Sequence, residues 1–190
     1  MRAFIALPIG SEVRQRLHEV IRALDALLPR RAVRWTRPEQ VHITLRFLGE
    51  VPEAAMDEIA AGVRAAAAGT PRLSLRAEQV GAFPAVNRPR VLWVGVTGDL
   101  APLNELQQRI TAATAPHGEP DEREFHPHLT LGRVKNLPPR ELRAAAEALS
   151  RFRVEDLGGW VAGHVQLMRS ELAPGGSRHT ELAAIPLTAT

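Results

Sequence analysis

Two segments of the chain repeat one alternating pattern, and this repetition limits the folds open to it. Residues 41–50 read VHITLRFLGE and residues 127–134 read PHLTLGRV, and both contain a histidine, an apolar residue, a threonine and a leucine in that order. Successive side chains of a β-strand point to opposite faces, so the histidine and threonine share one face and the apolar residues the other. Both segments are therefore predicted to be strands that bury their leucines and turn a histidine and a threonine toward water, a cleft or a polar network.

The spacing of apolar residues along the rest of the chain predicts an α+β fold. Helical spacing marks four helices, at residues 11–28, 53–68, 100–113 and 138–152, with Ser11 and Asp99 as candidate N-caps. Apolar runs mark strands at 1–7, 32–36, 41–48, 72–80, 90–96, 127–134, 163–172 and 180–188, with residues 81–89 as a loop. The strands follow one another too closely for every pair to be joined by a helical crossover. Antiparallel pairing is therefore expected to be common, with helices on the outer faces of the sheets.

The composition is that of a folded chain with one domain or two small halves. Of its 190 residues 45% are hydrophobic, and none is cysteine, which excludes disulfides and thiolate metal sites. Pro8 and Gly10 interrupt the apolar N-terminal run, and no apolar stretch reaches the roughly 20 residues that span a bilayer. We therefore expect a soluble cytoplasmic protein.

Arginine carries nearly all of the positive charge, since Lys135 is the only lysine. Arginines suit phosphate because their forked donors match its oxygens. A GC-rich genome would also produce many arginines and alanines. The net charge of +3 therefore indicates no more than a mild preference for anions.

The repeated pattern is a reason to expect catalysis. Two such strands related by approximate two-fold symmetry would place His42, Thr44, His128 and Thr130 around one small space. Neutral imidazole can take a proton from water, and imidazolium can protonate a leaving oxygen. The hydroxyls can donate to non-bridging phosphate oxygens. These side chains suit cleavage of a phosphodiester, although a single His-x-Thr in a strand usually faces solvent and has no role.

The regions around both motifs resemble the 2H phosphoesterases, specifically the RNA 2′,3′-cyclic phosphodiesterases, also called 2′-5′ RNA ligases. The similar segments are RWTRPEQVHITLRFLGEV at 34–51, FHPHLTLGRV at 125–134, FIALPI at 4–9 and SELAPGGSRHTELAAIPL at 170–187. The resemblance implies a single bilobal domain over residues 1–190, in which two mainly antiparallel sheets face each other across a central cleft. It further implies hydrolysis of the 2′,3′-cyclic phosphate of an RNA 3′ end, or of a small cyclic nucleotide, to a 2′-phosphate without metal or other cofactor. We expect the protein to be a monomer.

The resemblance also implies a role for each motif residue. His42 corresponds to the proton donor and His128 to the proton acceptor, although spacing alone does not distinguish the two roles. Thr44 and Thr130 match phosphate-binding threonines. Because the two motifs are nearly symmetric, the residues themselves leave the assignment of acid and base open.

Two arginines are candidates for substrate binding on different grounds. Arg133 matches an arginine that follows the second motif in the family, but an ideal strand would turn it away from the face of His128 unless a bulge intervenes. Arg46 has even spacing from His42, so alternation alone predicts that it faces the cleft. One departure from the family is His179, which stands where a tyrosine is frequent.

Aromatic residues near the motifs are the candidates for stacking on a base. They are Phe47, Phe83 and Trp35, and each is better interpreted as core or cleft wall than as a stacking platform. Phe47 has odd spacing from His42, so alternation predicts that it lies on the core face.

Three alternative functions remain open from the residues. His126 and His128 share a strand face and, with His117, could hold zinc, which requires three or four ligands. A binder of RNA ends could keep the phosphate contacts without turnover. The same chemistry could also act on another cyclic phosphodiester, such as a cyclic ADP-ribose phosphate, or run in reverse to join RNA through a 2′-5′ bond.

Overall fold

The four predicted helices are present in the computed structural model, which describes residues 1–120, 124–154, 156–173 and 176–188. They are α1 (Ser11–Leu27), α2 (Met56–Ala67), α3 (Leu100–Ala113) and α4 (Pro139–Arg151). Ser11 is the first residue of α1 and not its cap, because Gly10 occupies the N-cap position. Asp99 does occupy the N-cap of α3, but its carboxylate accepts the N–H of Ser74 and none from its own helix.

Nine strands form in the described residues, and every ladder between them is antiparallel. They are β1 (Arg2–Pro8), β2 (Val33–Trp35), β3 (His42–Glu50), β4 (Leu73–Ala85), β5 (Arg88–Gly98), β6 (His128–Val134), β7 (Gly159–Ala162), β8 (His164–Ala173) and β9 (Gly176–Pro186). The α+β class and the antiparallel pairing predicted from the sequence are thus confirmed. The short segment that forms β7 was not predicted to be a strand.

The order of the strands is symmetric about the contact between the two motif strands. The sheet runs β7-β4-β5-β6-β3-β1-β8-β9, with β2 added beside β6. The two expected sheets are joined at the centre, where a single residue pair, Ile43 and Leu129, connects β3 to β6. An antiparallel pair has a local two-fold axis, and this axis relates His42 to His128 and Thr44 to Thr130.

The apolar residues of both motifs lie in the core, as alternation predicts. Ile43, Leu45, Leu129 and Leu131 are each 0–2% exposed and belong to one cluster with the buried faces of the helices. Burying four such side chains stabilises the fold by roughly 1.5–3 kcal/mol each. That burial fixes which face of each strand is left for the histidines and threonines.

One predicted loop is instead a hairpin. Residues 81–89 belong mostly to β4 and β5, which continue to a tight turn at Val86 and Asn87. The two prolines that suggested a loop, Pro84 and Pro89, lie opposite each other next to the end of this hairpin, where a missing N–H interrupts little of the ladder.

None of the helices in the described residues is long and apolar enough to cross a membrane.

Candidate active site

A β-bulge in each motif strand determines which side chains face the cleft. In β3, Thr44 pairs with Ala6 and Arg46 with Ile5, so Leu45 is an extra residue without a partner in β1. In β6, Thr130 pairs with Trp93 and Gly132 with Leu92, so Leu131 is extra in the same way. An extra residue reverses the alternation beyond it. Each strand therefore presents its histidine, its threonine and the residue five positions after the histidine on one face.

Both motif histidines are held by the main chain through the same ring nitrogen. His42 Nδ1 lies 2.7 Å from the carbonyl oxygen of Gln40, and His128 Nδ1 lies 2.6 Å from that of His126. A carbonyl can only accept, so each Nδ1 carries the hydrogen and donates it. Nε2 is therefore the nitrogen that gains or loses a proton. At His42 this atom lies 3.0 Å from Thr44 Oγ1, whose hydroxyl donates to it when the ring is neutral.

Aromatic neighbours fix the planes of the two rings. Phe4 stacks on His42 with ring centroids 4.8 Å apart and planes 23° from parallel. Phe83 meets His128 edge to face at 5.1 Å, with planes 85° apart. His179, from β9, contacts both Phe4 and His42, at 4.8 Å and 5.6 Å. Locked rings favour a fixed direction for proton transfer.

A cavity of about 380 Å³ lies over these residues. Its lining includes His42, Thr44 and Phe47 of β3, Thr130 and Arg133 of β6, and His179 of β9. His128 itself is not among the lining residues. It stands two positions before Thr130, near enough to His42 for its charge to lower the pKa of that ring. The cavity thus brings the two halves of the repeat to one place.

Burial weakens the basicity of all three imidazoles. The pKa of His42 is lowered from 6.5 to about 4, mainly by burial; the bond to the Gln40 carbonyl opposes the shift, and the charges of His179 and His128 add to it. Burial also lowers the pKa of His128; the bond to the His126 carbonyl opposes this, and the charges of His126 and Arg133 reinforce it. The pKa of His179 is lowered by burial alone. At neutral pH these surroundings favour neutral rings, each with an acceptor nitrogen.

Comparison with known proteins agrees with this architecture. The sequence model of the 2′-5′ RNA ligase superfamily matches residues 11–173. The chain belongs to this superfamily.

Individual members of the 2′-5′ RNA ligase superfamily are similar over nearly the whole chain. An RNA 2′,3′-cyclic phosphodiesterase of Methanothermobacter thermautotrophicus is 30% identical over 98% of this chain and 99% of its own. The crystal structure of a Thermus thermophilus protein superposes with a TM-score of 0.81 at 29% identity, covering 98% of both chains. Escherichia coli LigT complexed with phosphate has a TM-score of 0.72 at 25% identity, covering 98% of this chain and 97% of that one.

The two candidate arginines of this superfamily member are placed on opposite sides of the sheet. Arg133 is exposed and lines the cavity, because the bulge at Leu131 turns it to the face of His128. Arg46 is only 4% exposed and donates to the carbonyl oxygens of Thr111 and His117, away from the cavity. The prediction that Arg46 faces the cleft was wrong, because the bulge at Leu45 reverses the alternation on which it rested.

The same bulge overturns the prediction for Phe47. This side chain is 47% exposed and lines the cavity, whereas alternation had placed it on the core face. Trp35 lines the cavity as well, and its Nε1 donates to Asp25 at 2.7 Å. Phe83 contacts the ring of His128 edge to face and is not among the residues that line the cavity.

Two contributors to the site were missed by sequence reasoning. Phe4 lies in an apolar run, where nothing distinguished it from other core residues, yet it forms the stacking surface for His42. Gln40 supplies the carbonyl that holds His42, and its side chain donates to the carbonyl of Ser177 at 2.7 Å. The sequence feature that could have identified Gln40 is its position two residues before His42. His126 has the same position relative to His128 in the second motif.

The zinc alternative finds no cluster to support it in the described part of the chain. No group of three or more histidine, aspartate or glutamate side chains there is arranged to hold a metal ion. His117 instead lies 3.5 Å from Glu58, and His126 lies 3.5 Å from Glu124.

Proposed function

We propose that this chain hydrolyses the 2′,3′-cyclic phosphate at RNA 3′ ends, or in small cyclic nucleotides, to a 2′-phosphate without a metal ion. The proposal depends on one observation: two imidazoles related by the Ile43–Leu129 axis each keep Nε2 for proton transfer because Nδ1 is held by the main chain. Relatives named RNA 2′,3′-cyclic phosphodiesterase, and a relative solved with phosphate, support the substrate class.

His128 acts as the general base in this proposal. Water attacks phosphorus, and its proton passes to Nε2 of His128 as the new P–O bond forms. A base must start neutral, and both burial and the charge of Arg133 lower the pKa of His128. The guanidinium of Arg133 therefore assists twice, by keeping the base neutral and by attracting the phosphate.

His42 acts as the general acid. The bond from phosphorus to the 3′ oxygen breaks, and that oxygen takes the proton from Nε2 of His42, leaving the phosphate on the 2′ oxygen. The pKa of His42, at about 4 in the empty site, opposes a protonated ring at neutral pH. An anionic phosphodiester beside the ring favours imidazolium, so the acid is charged when the substrate binds. Binding is therefore coupled to the uptake of one proton.

Thr44, Thr130 and Arg133 stabilise the negative oxygens of the transition state. All three line the cavity, and none of them has to gain or lose a proton during the reaction. Since a single chain supplies both motifs to this cavity, we further propose that residues 1–190 act as one bilobal domain and as a monomer. We also propose that the protein acts in the cytoplasm.

Product analysis tests the hypothesis directly. The protein is incubated with 2′,3′-cyclic AMP in excess chelator, and the products are separated chromatographically. We expect 2′-AMP at an undiminished rate. Formation of 3′-AMP would reverse the leaving group and contradict the mechanism, while activity that chelator abolishes would restore the metal alternative.

Reverse ligation uses the same groups. In the ligation the 5′-hydroxyl of a second RNA takes the place of water as the nucleophile. Its oxygen attacks phosphorus and its proton passes to His128, while the bond from phosphorus to the 3′ oxygen breaks and that oxygen takes the proton from His42, which leaves a 2′-5′ bond. The superfamily to which the chain belongs takes its name from this reaction. Incubating two RNA fragments at high concentration and testing the junction for resistance to a 3′-5′-specific ribonuclease checks it.

A further inference from the structure

Two arginines face each other across neighbouring strands at the edge of the cavity. Arg34 of β2 pairs directly with Arg133 of β6, so both side chains leave the sheet on the same face. Both are exposed, and both line the cavity. Among the described residues, neither arginine forms an ion pair or a side-chain hydrogen bond. Like charges placed directly opposite each other destabilise a sheet, so an anion bound between the two arginines would offset an otherwise unfavourable pair.

Arg34 and Arg133 lie farther along the sheet than the second motif, past Thr130 in the direction of β6. Arg133 follows Thr130 by three residues, which corresponds to about 7–10 Å along a strand when the bulge is allowed for. Arg37, also exposed and lining the cavity, lies in the connection between β2 and β3, three residues after Arg34. The cavity thus continues from the histidines toward a group of three cations.

The chemistry of this group favours a second phosphate. Guanidinium forks donate two parallel hydrogen bonds to phosphate oxygens, and an anion between two opposed guanidinium groups removes their repulsion. A cyclic mononucleotide has one phosphate, which the two histidines and two threonines already account for. An RNA strand has another phosphodiester on the 5′ side of its terminal nucleoside.

We propose that Arg34, opposite Arg133 and next to Arg37, binds the phosphodiester adjacent to the cyclic phosphate, which makes an RNA strand a better substrate than a mononucleotide. This inference deepens the proposed function and depends on it for the identity of the terminal phosphate. Arg133 is shared between the two phosphates, whereas Arg34 contacts only the second.

The test compares one substitution on two substrates. Arg34→Ala should lower kcat/KM on a dinucleotide that ends in a 2′,3′-cyclic phosphate by roughly tenfold, the scale of a charge-assisted bond, and on 2′,3′-cyclic AMP by less than twofold. Arg34→Lys should recover part of the loss. Arg22→Ala is the matched control, because Arg22 is an exposed arginine on α1, away from the cavity, and it should alter neither rate.

A binding measurement separates this proposal from the hydrolysis mechanism. Fluorescence anisotropy of a labelled short RNA with a 3′-terminal phosphate reports affinity without turnover. Arg34→Ala should weaken binding and reduce the slope of log K against log salt by about 0.7, the value for one phosphate of a single strand. If the wild-type protein hydrolyses neither substrate but Arg34→Ala still binds the RNA more weakly than Arg22→Ala does, the proposed function is wrong and the second phosphate site stands. Equal effects on both substrates, or the same affinity as Arg22→Ala, would overturn the second phosphate site.

Discussion

Phe47 and Arg133 occupy equivalent positions in the two motif strands, five residues after His42 and His128, and both face the cavity. The backbone is two-fold symmetric here, but the side chains at these equivalent positions differ. One half of the cleft presents an aromatic ring and the other presents a cation. A phosphate with a base attached needs both.

This difference predicts distinct effects of two substitutions. Arg133→Ala should reduce kcat/KM on 2′,3′-cyclic AMP by about 10–100-fold, equivalent to about 1.5–3 kcal/mol for a bond to a charged group. It should also shift the acid limb of the pH profile to higher pH, since the Arg133 charge lowers the pKa of His128. Phe47→Ala is the matched control and should leave that limb in place. An unmoved limb in Arg133→Ala would contradict the electrostatic role.

The two histidines should be individually indispensable. His42→Ala and His128→Ala are each expected to reduce turnover by about 10²–10⁴-fold, the usual contribution of a general acid or base. His18→Ala, an exposed histidine on α1, serves as the control and should retain full activity. Steady-state kinetics on 2′,3′-cyclic AMP measure all three. Near-wild-type turnover by either motif variant would exclude the paired mechanism.

The threonines should contribute by hydrogen bonding and not by volume. Thr44→Val keeps the shape of the side chain but removes the hydroxyl that lies 3.0 Å from His42 Nε2. We expect transition-state stabilisation to fall by about 1–3 kcal/mol, and by a similar amount for Thr130→Val. Rate measurements check this, with Thr44→Ser as the variant that restores the donor. If Thr44→Ser is as slow as Thr44→Val, the hydrogen bond from the hydroxyl does not account for the loss of rate.

Arg46 should matter for stability and not for binding. Its side chain donates to two carbonyl groups of half-buried residues at the end of α3 and in the loop after it, so Arg46→Ala removes both of these hydrogen bonds. The free energy of unfolding should fall by about 1–3 kcal/mol, measured by urea denaturation. Arg133→Ala, an exposed arginine, should change it little. A raised KM with unchanged stability in Arg46→Ala would indicate that Arg46 faces the cleft, as strict alternation predicts, and would contradict the buried position described above.

The titration of His42 should make stability depend on pH. Its pKa is lowered from 6.5 to about 4 in the folded protein, so protonation favours unfolding. The stabilisation is complete above pH 6.5 and is lost as the pH falls toward 4, by about 2–3 kcal/mol. His42→Gln should show a smaller loss between pH 7 and pH 4.5 in urea denaturation. Identical losses in the two proteins would refute the assignment.

Proton uptake on binding follows from the same shift. Inorganic phosphate should raise the pKa of His42, because an adjacent anion favours the charged ring. Titration of the imidazole resonances by NMR, with and without phosphate, measures the change. A pKa unaffected by saturating phosphate would remove the basis for His42 as proton donor.

Alternation along a strand predicted the motif faces correctly but failed beyond them. Burial of Ile43 and Leu129 follows from a period of two, and this also places His42 with Thr44. A bulge leaves no mark in such a pattern, since Leu45 is apolar whether or not it pairs with a neighbour. The positions of Arg46 and Phe47 were therefore beyond reach of the pattern. For Arg133 the spacing and the family resemblance disagreed, and the bulge at Leu131 turns this side chain to the cavity.

The backbone bonds to Nδ1 have a consequence for sequence drift. In both motifs the acceptor is the peptide carbonyl two residues earlier, at Gln40 and at His126. Replacing the side chain at either position leaves that oxygen in place, so the tautomer of each ring is set by the backbone. Substitutions at these two positions are therefore compatible with the same reactive nitrogen, Nε2.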